Sequence, residues 1–211
     1  MVAIKNIIFD WSGTLVNDLP PVLAATNKIF ARYGKPEMNV EKFRESFCLP
    51  FAKFYAEYLP EVTAEELERH YHDSFQLLQE GIPLLPHAAE MLAYCRDRGL
   101  KIFLLSSIRA EHYAVQAKRL GIDRYFTKAF VQVLDKRQII RDLLAEFALA
   151  PRETVFVGDM EHDIATAKHG GIVSCALLTG YNTRAMLQAA EPDLLFNDLS
   201  ELKNYLKENI L

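Results

Sequence analysis

Short apolar runs alternate with amphipathic stretches along most of the chain, and this alternation predicts a parallel α/β sheet. The runs that predict strands are residues 7–9, 100–105, 154–157 and 173–178, with weaker candidates at residues 129–131 and Leu194–Phe196. Amphipathic stretches such as Ala110–Leu120 lie between these runs and predict helices. Because parallel strands are joined by crossover helices that cover both faces of a sheet, the pattern predicts a Rossmann-like parallel-sheet core.

One long stretch of the chain has no strand candidate. Residues 18–82 carry only helical patterning, including a capping-box sequence formed by Thr63 and Glu66 ahead of an amphipathic run. Sequence with α/β character lies on both sides of this stretch. We therefore expect a core domain of residues 1–17 and 83–211, with residues 18–82 inserted into it as an α-helical cap domain.

Composition and charge exclude several classes of protein. Of the 211 residues, 50% are hydrophobic and the formal net charge is −4, so no basic surface for nucleic acid is indicated. No apolar run reaches the roughly 18 residues that a membrane span requires, and no signal-peptide pattern is present. The three cysteines are scattered and lack the spacing of a metal site. We expect a cytoplasmic protein, a monomer or a homodimer, without a nucleic-acid or membrane partner.

Candidate chemical groups lie close to the ends of the predicted strands. Asp10 follows the first strand, Ser106 and Ser107 follow the second, and Asp159 follows the strand at residues 154–157. Lys136 precedes a predicted helix. Ligand sites in open α/β sheets lie beyond the carboxyl ends of the strands. We therefore expect these side chains to converge on one mouth of the fold.

The type and order of these residues resemble four motifs of the haloacid dehalogenase superfamily, in its phosphoglycolate-phosphatase-like branch. The first motif is similar to residues 10–15, Asp-Trp-Ser-Gly-Thr-Leu, and the fourth is similar to residues 158–163, Gly-Asp-Met-Glu-His-Asp. Ser106, at the end of an apolar strand, matches the second motif, and Lys136 matches the third. The resemblance spans nearly the whole chain and implies a hydrolase that uses an aspartate nucleophile.

The resemblance implies catalytic and substrate-binding roles. Asp10 would attack phosphorus and form an aspartyl-phosphate, which splits one difficult step into two easier ones. Lys136 would pair with the nucleophile and the transferred phosphoryl group, and Ser106 would donate a hydrogen bond to a phosphoryl oxygen. Ser107 and Arg109 are further candidates for contact with the substrate phosphate.

A magnesium site follows from the same resemblance. Mg²⁺ would be bound by Asp10, Asp159 and the backbone carbonyl of Ser12, with Asp163 bound directly or through water. Asp159 and Asp163 are four residues apart, so both carboxylates can face one hard cation. Taken alone, Asp159 is equally suited to cap the helix that follows it.

Ser12 departs from the family pattern and leaves three interpretations open. Family phosphatases carry an acid here that protonates the leaving group, a contribution typically worth about 10²–10⁴-fold. The preferred interpretation is a phosphatase of small phosphorylated metabolites whose acid comes from elsewhere, such as the cap or Asp18. The second is a C–P bond hydrolase similar to phosphonoacetaldehyde hydrolases, in which a cap lysine, Lys42 or Lys53, forms a Schiff base. The third is a non-catalytic module that binds a phosphorylated ligand.

Several residues outside the motifs also carry expectations. Residues 47–51 of the cap are expected to select the substrate, and Trp11 is expected to pack at the junction with the cap. The histidines at positions 112, 162 and 169 have no partner at metal-site spacing, so they are expected at the surface.

Overall fold

A computed structural model describes residues 3–209 of the chain as a six-stranded parallel sheet with helices around it. The strands are β1 (Asn6–Phe9), β2 (Lys101–Leu105), β3 (Lys128–Phe130), β4 (Thr154–Gly158), β5 (Val173–Leu177) and β6 (Leu194–Phe196). Their order across the sheet is β3-β2-β1-β4-β5-β6. Each strand coincides with an apolar run in the sequence, and the prediction of an α/β, Rossmann-like core is confirmed.

The first strand, β1, lies inside the sheet, between β2 and β4. Phe9 is paired in register with Leu104 of β2 on one side and Val157 of β4 on the other. All residues of β1 and β4 are buried, which explains why these strands are apolar without alternation. Asp10 therefore leaves the sheet between the two strands that deliver Ser106 and Asp159.

The helices that the structure describes fill the connections and the stretch between β1 and β2. They are α1 (Leu19–Arg32), α2 (Val40–Ser46), α3 (Phe51–Tyr58), α4 (Ala64–Gln76), α5 (Ala88–Asp97), α6 (Ala110–Leu120), α7 (Arg137–Glu146), α8 (Glu161–Gly170), α9 (Arg184–Ala189) and α10 (Leu199–Asn209). A helical insertion, α1 to α4, thus follows β1, as the sequence predicts. None of the helices within residues 3–209 is long and apolar enough to cross a membrane.

The two chain segments that lead into and out of the insertion run side by side. The Asn17 amide donates to the Pro83 carbonyl at 2.9 Å, and the Leu85 amide donates to the Leu15 carbonyl at 2.9 Å. The predicted boundaries at residues 17 and 83 fall at this pairing. One apolar cluster continues from Ile7 in the sheet into the insertion, so the division into two domains stays a prediction.

One expectation changes at the level of single residues. His112 is only 3% exposed, so its expected surface position is wrong: its ring packs edge-on against Phe75, 5.0 Å between centroids. His162 is half-buried, and His169 is exposed. Trp11 is fully buried and its indole nitrogen donates to the Gln116 side chain of α6 at 2.8 Å. Residues 1–2 and 210–211, parts of the predicted core domain, lie outside the described residues.

Candidate active site

Three buried aspartates form one cluster at the carboxyl ends of the central strands. The carboxylate cluster consists of Asp10 after β1, Asp159 after β4 and Asp163 in the first turn of α8. Their side chains offer three oxygens that lie within 4.8 Å of one another. The residues are 4%, 0% and 2% exposed, respectively. The structure therefore brings together the three acids that the sequence assigns to a metal.

Lys136 enters this cluster from the residue before α7. Its ammonium nitrogen lies 2.9 Å from Asp10 Oδ2 and 2.7 Å from Asp163 Oδ1, and the side chain is 1% exposed. The cluster holds three carboxylates, two of them paired with this one ammonium group, so two negative charges stay unbalanced when all three are ionised. This residual charge matches that of one divalent cation.

The pKa values reflect this buried excess of acid. Burial raises the pKa of Asp10 above its ordinary value, although the Lys136 ammonium opposes the change. Burial, and next the charge of Asp163, raise the pKa of Asp159 well above its usual range. Burial alone would lower the pKa of Lys136, but the two neighbouring carboxylates outweigh it and raise that pKa. A cation at the cluster would offset the cost of keeping these acids ionised.

Asp159 is held in place by backbone that only glycine permits. Its Oδ1 accepts a hydrogen bond from the Thr14 hydroxyl at 2.8 Å, and its Oδ2 accepts one from the Tyr181 amide at 2.7 Å. A Cβ atom at Gly180 or at Gly13 would overlap the Asp159 carboxylate. Gly13 also has φ +68°, which other residues rarely adopt. These two glycines let the main chain approach the acid closely.

The two carboxylate oxygens of Asp163 have different partners. Oδ2 accepts from the amides of Asp159 and Met160, at 3.2 and 3.1 Å, and so caps the start of α8. Oδ1 is the oxygen that faces Lys136. A Cβ at Gly158 would overlap this carboxylate, which explains the glycine that ends β4.

The serines at the end of β2 lie on the nucleophile's side of the site. The Ser106 hydroxyl accepts a hydrogen bond from the Ile108 amide at 3.3 Å, and its side chain stabilises the ionised form of the Asp10 carboxyl. The Ser107 hydroxyl oxygen is buried and has no hydrogen-bond partner in the described part of the chain. Its predicted contact to substrate phosphate stays a prediction.

Arg109 occupies a different environment from the two serines. Its guanidinium group lies 2.9 Å from a Glu68 oxygen in α4 and 2.6 Å from a Glu111 oxygen in α6. The side chain therefore bridges the insertion and the core. Its predicted role in binding substrate phosphate stays a prediction.

A fourth buried acid lies beside Ser12. Asp18, the residue before α1, is 3% exposed and accepts a hydrogen bond from the Tyr181 hydroxyl at 3.1 Å, and the Ser12 side chain stabilises its ionised form. Burial raises the pKa of Asp18 to about 6. A buried carboxyl group thus enters this side of the site from the first residue of the insertion.

Tyr181 is the site residue that sequence reasoning missed. Its amide binds Asp159, its hydroxyl binds Asp18, and its ring lies 5.2 Å from that of Phe47 in the insertion. The signal was present, because residues 179–181 directly follow β5 and the strand-end rule applies to them as well. Phe47 belongs to the segment that was expected to select the substrate, and the ring contact brings that segment against this edge of the site.

The residues present fit a hard divalent cation. Carboxylate and carbonyl oxygens are the ligands that Mg²⁺ and similar ions prefer, and the carboxylate cluster offers three such groups with unbalanced negative charge. The two lysines considered for Schiff-base chemistry, Lys42 in α2 and Lys53 in α3, are both exposed.

Comparison with known proteins agrees with this geometry. A family model described as haloacid dehalogenase-like hydrolase matches residues 4–171. A phosphoglycolate phosphatase from Synechococcus elongatus is 29% identical over 205 residues, which cover 94% of this chain and 95% of that protein.

Two solved structures show the same fold. A haloacid dehalogenase-like hydrolase from Streptococcus pneumoniae superposes with a TM-score of 0.83 at 21% identity, covering 96% of this chain and 98% of that one. A predicted phosphoglycolate phosphatase from Haemophilus somnus gives a TM-score of 0.83 at 22% identity, covering 97% and 99%. The resemblance carried by the four motifs is confirmed, and the chain belongs to the haloacid dehalogenase-like hydrolase family.

Proposed function

We propose that this protein is a Mg²⁺-dependent phosphomonoesterase of a small phosphorylated metabolite, acting through an aspartyl-phosphate on Asp10. The observation that carries the proposal is the position of Asp10: a buried carboxylate at the end of the central strand, 2.9 Å from a buried lysine and within a cluster of three acids. Such an arrangement suits attack on an anionic phosphate whose charge is neutralised by its surroundings.

The reaction has two steps that both pass through Asp10. An Asp10 carboxylate oxygen attacks phosphorus, the bond from phosphorus to the ester oxygen breaks, and the alcohol leaves. Water then attacks the aspartyl-phosphate, the bond from phosphorus to the Asp10 oxygen breaks, and inorganic phosphate is released. Lys136, held between Asp10 and Asp163, orients the nucleophile, and the Ser106 and Ser107 hydroxyls donate to phosphoryl oxygens.

The carboxylate cluster and the Ser12 backbone carbonyl would hold Mg²⁺ in this proposal. The bound ion supplies positive charge to the phosphoryl oxygens, which reduces repulsion between the phosphate and the carboxylates. The support from the chain itself is the pair of negative charges that Lys136 leaves unbalanced.

Asp18 is the carboxyl group that we assign to the leaving-group proton. It would replace the acid absent at Ser12, and its support is its place: Asp18 is buried beside Ser12, whose side chain stabilises the ionised form of the Asp18 carboxyl. A proton can therefore reach the ester oxygen from Asp18 directly or through the Ser12 hydroxyl. The Tyr181 hydroxyl, 3.1 Å from Asp18 Oδ1, fixes the orientation of the acid.

The other two interpretations have less support. A Schiff base needs a neutral amine, which enzymes usually obtain by burying a lysine, whereas Lys42 and Lys53 are exposed. A module that only binds a phosphorylated ligand does not need a buried nucleophile paired with an ammonium group. Both remain possible outcomes of the experiment below.

A phosphatase screen with a panel of small phosphorylated metabolites tests the proposal. The name of the relative from Synechococcus elongatus makes 2-phosphoglycolate the first compound to include. We expect phosphate release that requires Mg²⁺ and stops in Asp10→Asn, because the amide cannot act as the nucleophile. Acid-quenched wild type should carry one phosphoryl group by mass spectrometry, and the variant should carry none.

The exposed Asp142 of α7 offers a matched control, since Asp142→Asn makes the same chemical change away from the cluster. It should retain wild-type activity. Equal phosphate release by wild type and Asp10→Asn across the panel would remove the phosphatase function. Borohydride trapping of phosphonoacetaldehyde on Lys42 or Lys53 would support the C–P hydrolase instead.

A further inference from the structure

A second group of metal-ligating side chains lies between the helical insertion and the core. The histidine cluster consists of His72 in α4 and of Glu111 and His112 in the first turn of α6. One ligand atom from each of these residues lies within 4.8 Å of the other two. The cluster shares no residue with the carboxylate cluster, and the reaction proposed above does not use it.

The protonation of His112 leaves one ring nitrogen free for a ligand. His112 is 3% exposed, and its Nδ1 lies 2.8 Å from the Gln79 side-chain oxygen. An amide oxygen accepts hydrogen bonds, so Nδ1 carries the proton and Nε2 presents a lone pair. Nε2 is buried and has no hydrogen-bond partner within residues 3–209. Metal-bound histidines typically have their other ring nitrogen fixed by an acceptor in this way.

His72 presents a second unsatisfied nitrogen to the same place. Its Nδ1 is buried without a hydrogen-bond partner in the described chain and lies 3.7 Å from a Glu111 oxygen. The His72 and His112 rings are 5.3 Å apart between centroids. A buried polar atom without a partner is costly, so two of them beside one carboxylate indicate an absent ligand.

We propose that the histidine cluster binds a divalent transition-metal ion such as Zn²⁺, which connects α4 of the insertion to α6 of the core. Two imidazoles and one carboxylate are a common ligand set for Zn²⁺, with a fourth position left for water. Ligand atoms around tetrahedral zinc are about 3.3 Å apart, so small side-chain rotations close the observed spacing. Nitrogen ligands also distinguish this site from the oxygen-only carboxylate cluster.

Two neighbouring features set the conditions for binding. Arg109 contacts Glu111 Oε1 at 2.6 Å, the same oxygen that lies 3.7 Å from His72, so the metal displaces the arginine toward Glu68 or binds Glu111 through Oε2. The Glu111 side chain is 54% exposed and the His72 side chain is 31% exposed, which gives an ion a route from solvent. Burial, and next the nearby His72, lower the pKa of His112, which favours its neutral, metal-binding form at neutral pH.

Isothermal titration calorimetry of the full chain with Zn²⁺ tests the site. The protein is first stripped with a chelator and then held in excess Mg²⁺, so that the carboxylate cluster is occupied. We expect one Zn²⁺ per chain. His72→Gln and His112→Gln should each weaken binding by more than about tenfold, because even residues that only orient a metal ligand contribute that much. Zn²⁺ at a hundredfold excess over its wild-type dissociation constant should raise the melting temperature by about 5–11 °C in wild type, and by no more than about half of that in the two histidine variants.

Matched controls separate this site from other sources of Zn²⁺ binding. His169→Gln removes an exposed histidine, Cys48→Ser removes the partly exposed thiol, and Asp159→Asn disrupts the carboxylate cluster. All three should bind Zn²⁺ like wild type. If His112→Gln fails to fold, His72→Gln decides, because its side chain is partly exposed. Unchanged affinity in His72→Gln, or loss of binding in Asp159→Asn, overturns the proposal.

Discussion

The carboxylate cluster and the histidine cluster each gather three potential ligand atoms within 4.8 Å, yet they differ in how those atoms are satisfied. In the carboxylate cluster every acid already accepts hydrogen bonds from backbone amides, such as that from Trp11 to Asp10 at 2.6 Å. In the histidine cluster two buried nitrogens have no hydrogen-bond partner among the described residues. The first site is held in shape by the fold, whereas the second depends more on its ligand.

Charge separates the two clusters further. The carboxylate cluster concentrates three acids and one lysine at positions that are almost completely buried. The histidine cluster has one carboxylate, already paired with Arg109, and two imidazoles. Charge therefore dominates cation binding at the carboxylate cluster, and the type of ligand atom dominates it at the histidine cluster.

Replacing Lys136 should have the largest effect and should act on the carboxylate cluster alone. In Lys136→Met the buried acids Asp10 and Asp163 lose the ammonium group that they contact, and removing one side of a buried ion pair typically costs about 3–5 kcal/mol of unfolding free energy. Turnover should fall by at least about 10²–10³-fold, since the charge beside the nucleophile is lost. Urea unfolding and steady-state kinetics measure these effects, and Mg²⁺ should recover part of the stability.

The exposed Lys128 of β3 provides the control, because Lys128→Met removes a lysine that is not buried. It should match wild type in both measurements. Zn²⁺ binding at the histidine cluster should be unchanged in Lys136→Met. If Lys136→Met were as stable as the wild type without Mg²⁺, this would contradict the unbalanced negative charge described for the carboxylate cluster.

The two clusters also differ in how far the sequence could predict them. Asp10 and Asp159 directly follow apolar runs, and parallel strands carry such residues to one edge of the sheet, so their meeting was predictable. His72 and His112 lie forty positions apart on two helices, and nothing in their spacing shows that α4 packs near α6. The prediction that His112 lies at the surface failed for this reason.

The contacts around Ser12 could be predicted from the sequence only in part. The departure at Ser12 was visible in the sequence, and Asp18 was one of the alternatives for the missing acid. Its position beside Ser12 depends on where α1 begins relative to the first strand end, and its hydrogen bond comes from Tyr181 in a distant loop. Such a contact is a property of tertiary packing, which a single sequence does not determine.

Replacing Asp18 should show whether the carboxylate cluster works with an acid outside it. Asp18→Asn keeps an acceptor for the Tyr181 hydroxyl but cannot supply a proton. General acids contribute about 10²–10⁴-fold, so turnover of alkyl phosphates should fall by about 100-fold, while aryl phosphates, with good leaving groups, should be affected much less. The ratio of kcat values for the two substrate types measures the difference.

A double variant makes this prediction sharper. If the proton normally comes from Asp18, Ser12→Asp should restore alkyl phosphate turnover in the Asp18→Asn background, because it places an acid where family phosphatases carry one. Equal losses on alkyl and aryl phosphates, or no recovery in the double variant, would argue that Asp18 only supports the structure.

A smaller effect is expected from the glycine that lets the main chain approach Asp159. In Gly180→Ala the new methyl group overlaps the Asp159 carboxylate and displaces it, so Mg²⁺ affinity should fall by about 10–100-fold. Gly81→Ala is the matched control, because a Cβ there meets no atom within 4 Å. Calorimetric titration with Mg²⁺ should separate the two variants, and Zn²⁺ affinity should stay constant in both. Equal Mg²⁺ affinities would show that the carboxylate cluster adapts.

The smallest effect concerns the pH dependence of stability in metal-free protein. Asp18 faces the side chains of Ser12, Tyr181, Asp10 and Tyr71, and burial raises its pKa from 3.8 to about 6. The folded chain therefore holds this proton more tightly than the unfolded chain. Its contribution to the unfolding free energy is largest below about pH 4, decreases as pH rises to about 6, and is constant above that.

Asp18→Asn removes this term, so its stability relative to wild type should increase by about 1–3 kcal/mol between pH 4.5 and pH 7. Urea unfolding with a chelator present measures the difference at both pH values, and Asp142→Asn, at an exposed position, should show no such change. An increase in relative stability would mean that the folded protein contains a buried, ionised Asp18 at neutral pH, at a cost to its stability. A relative stability that stays flat between these pH values would show that Asp18 has an ordinary pKa, and one that falls would show a lowered pKa.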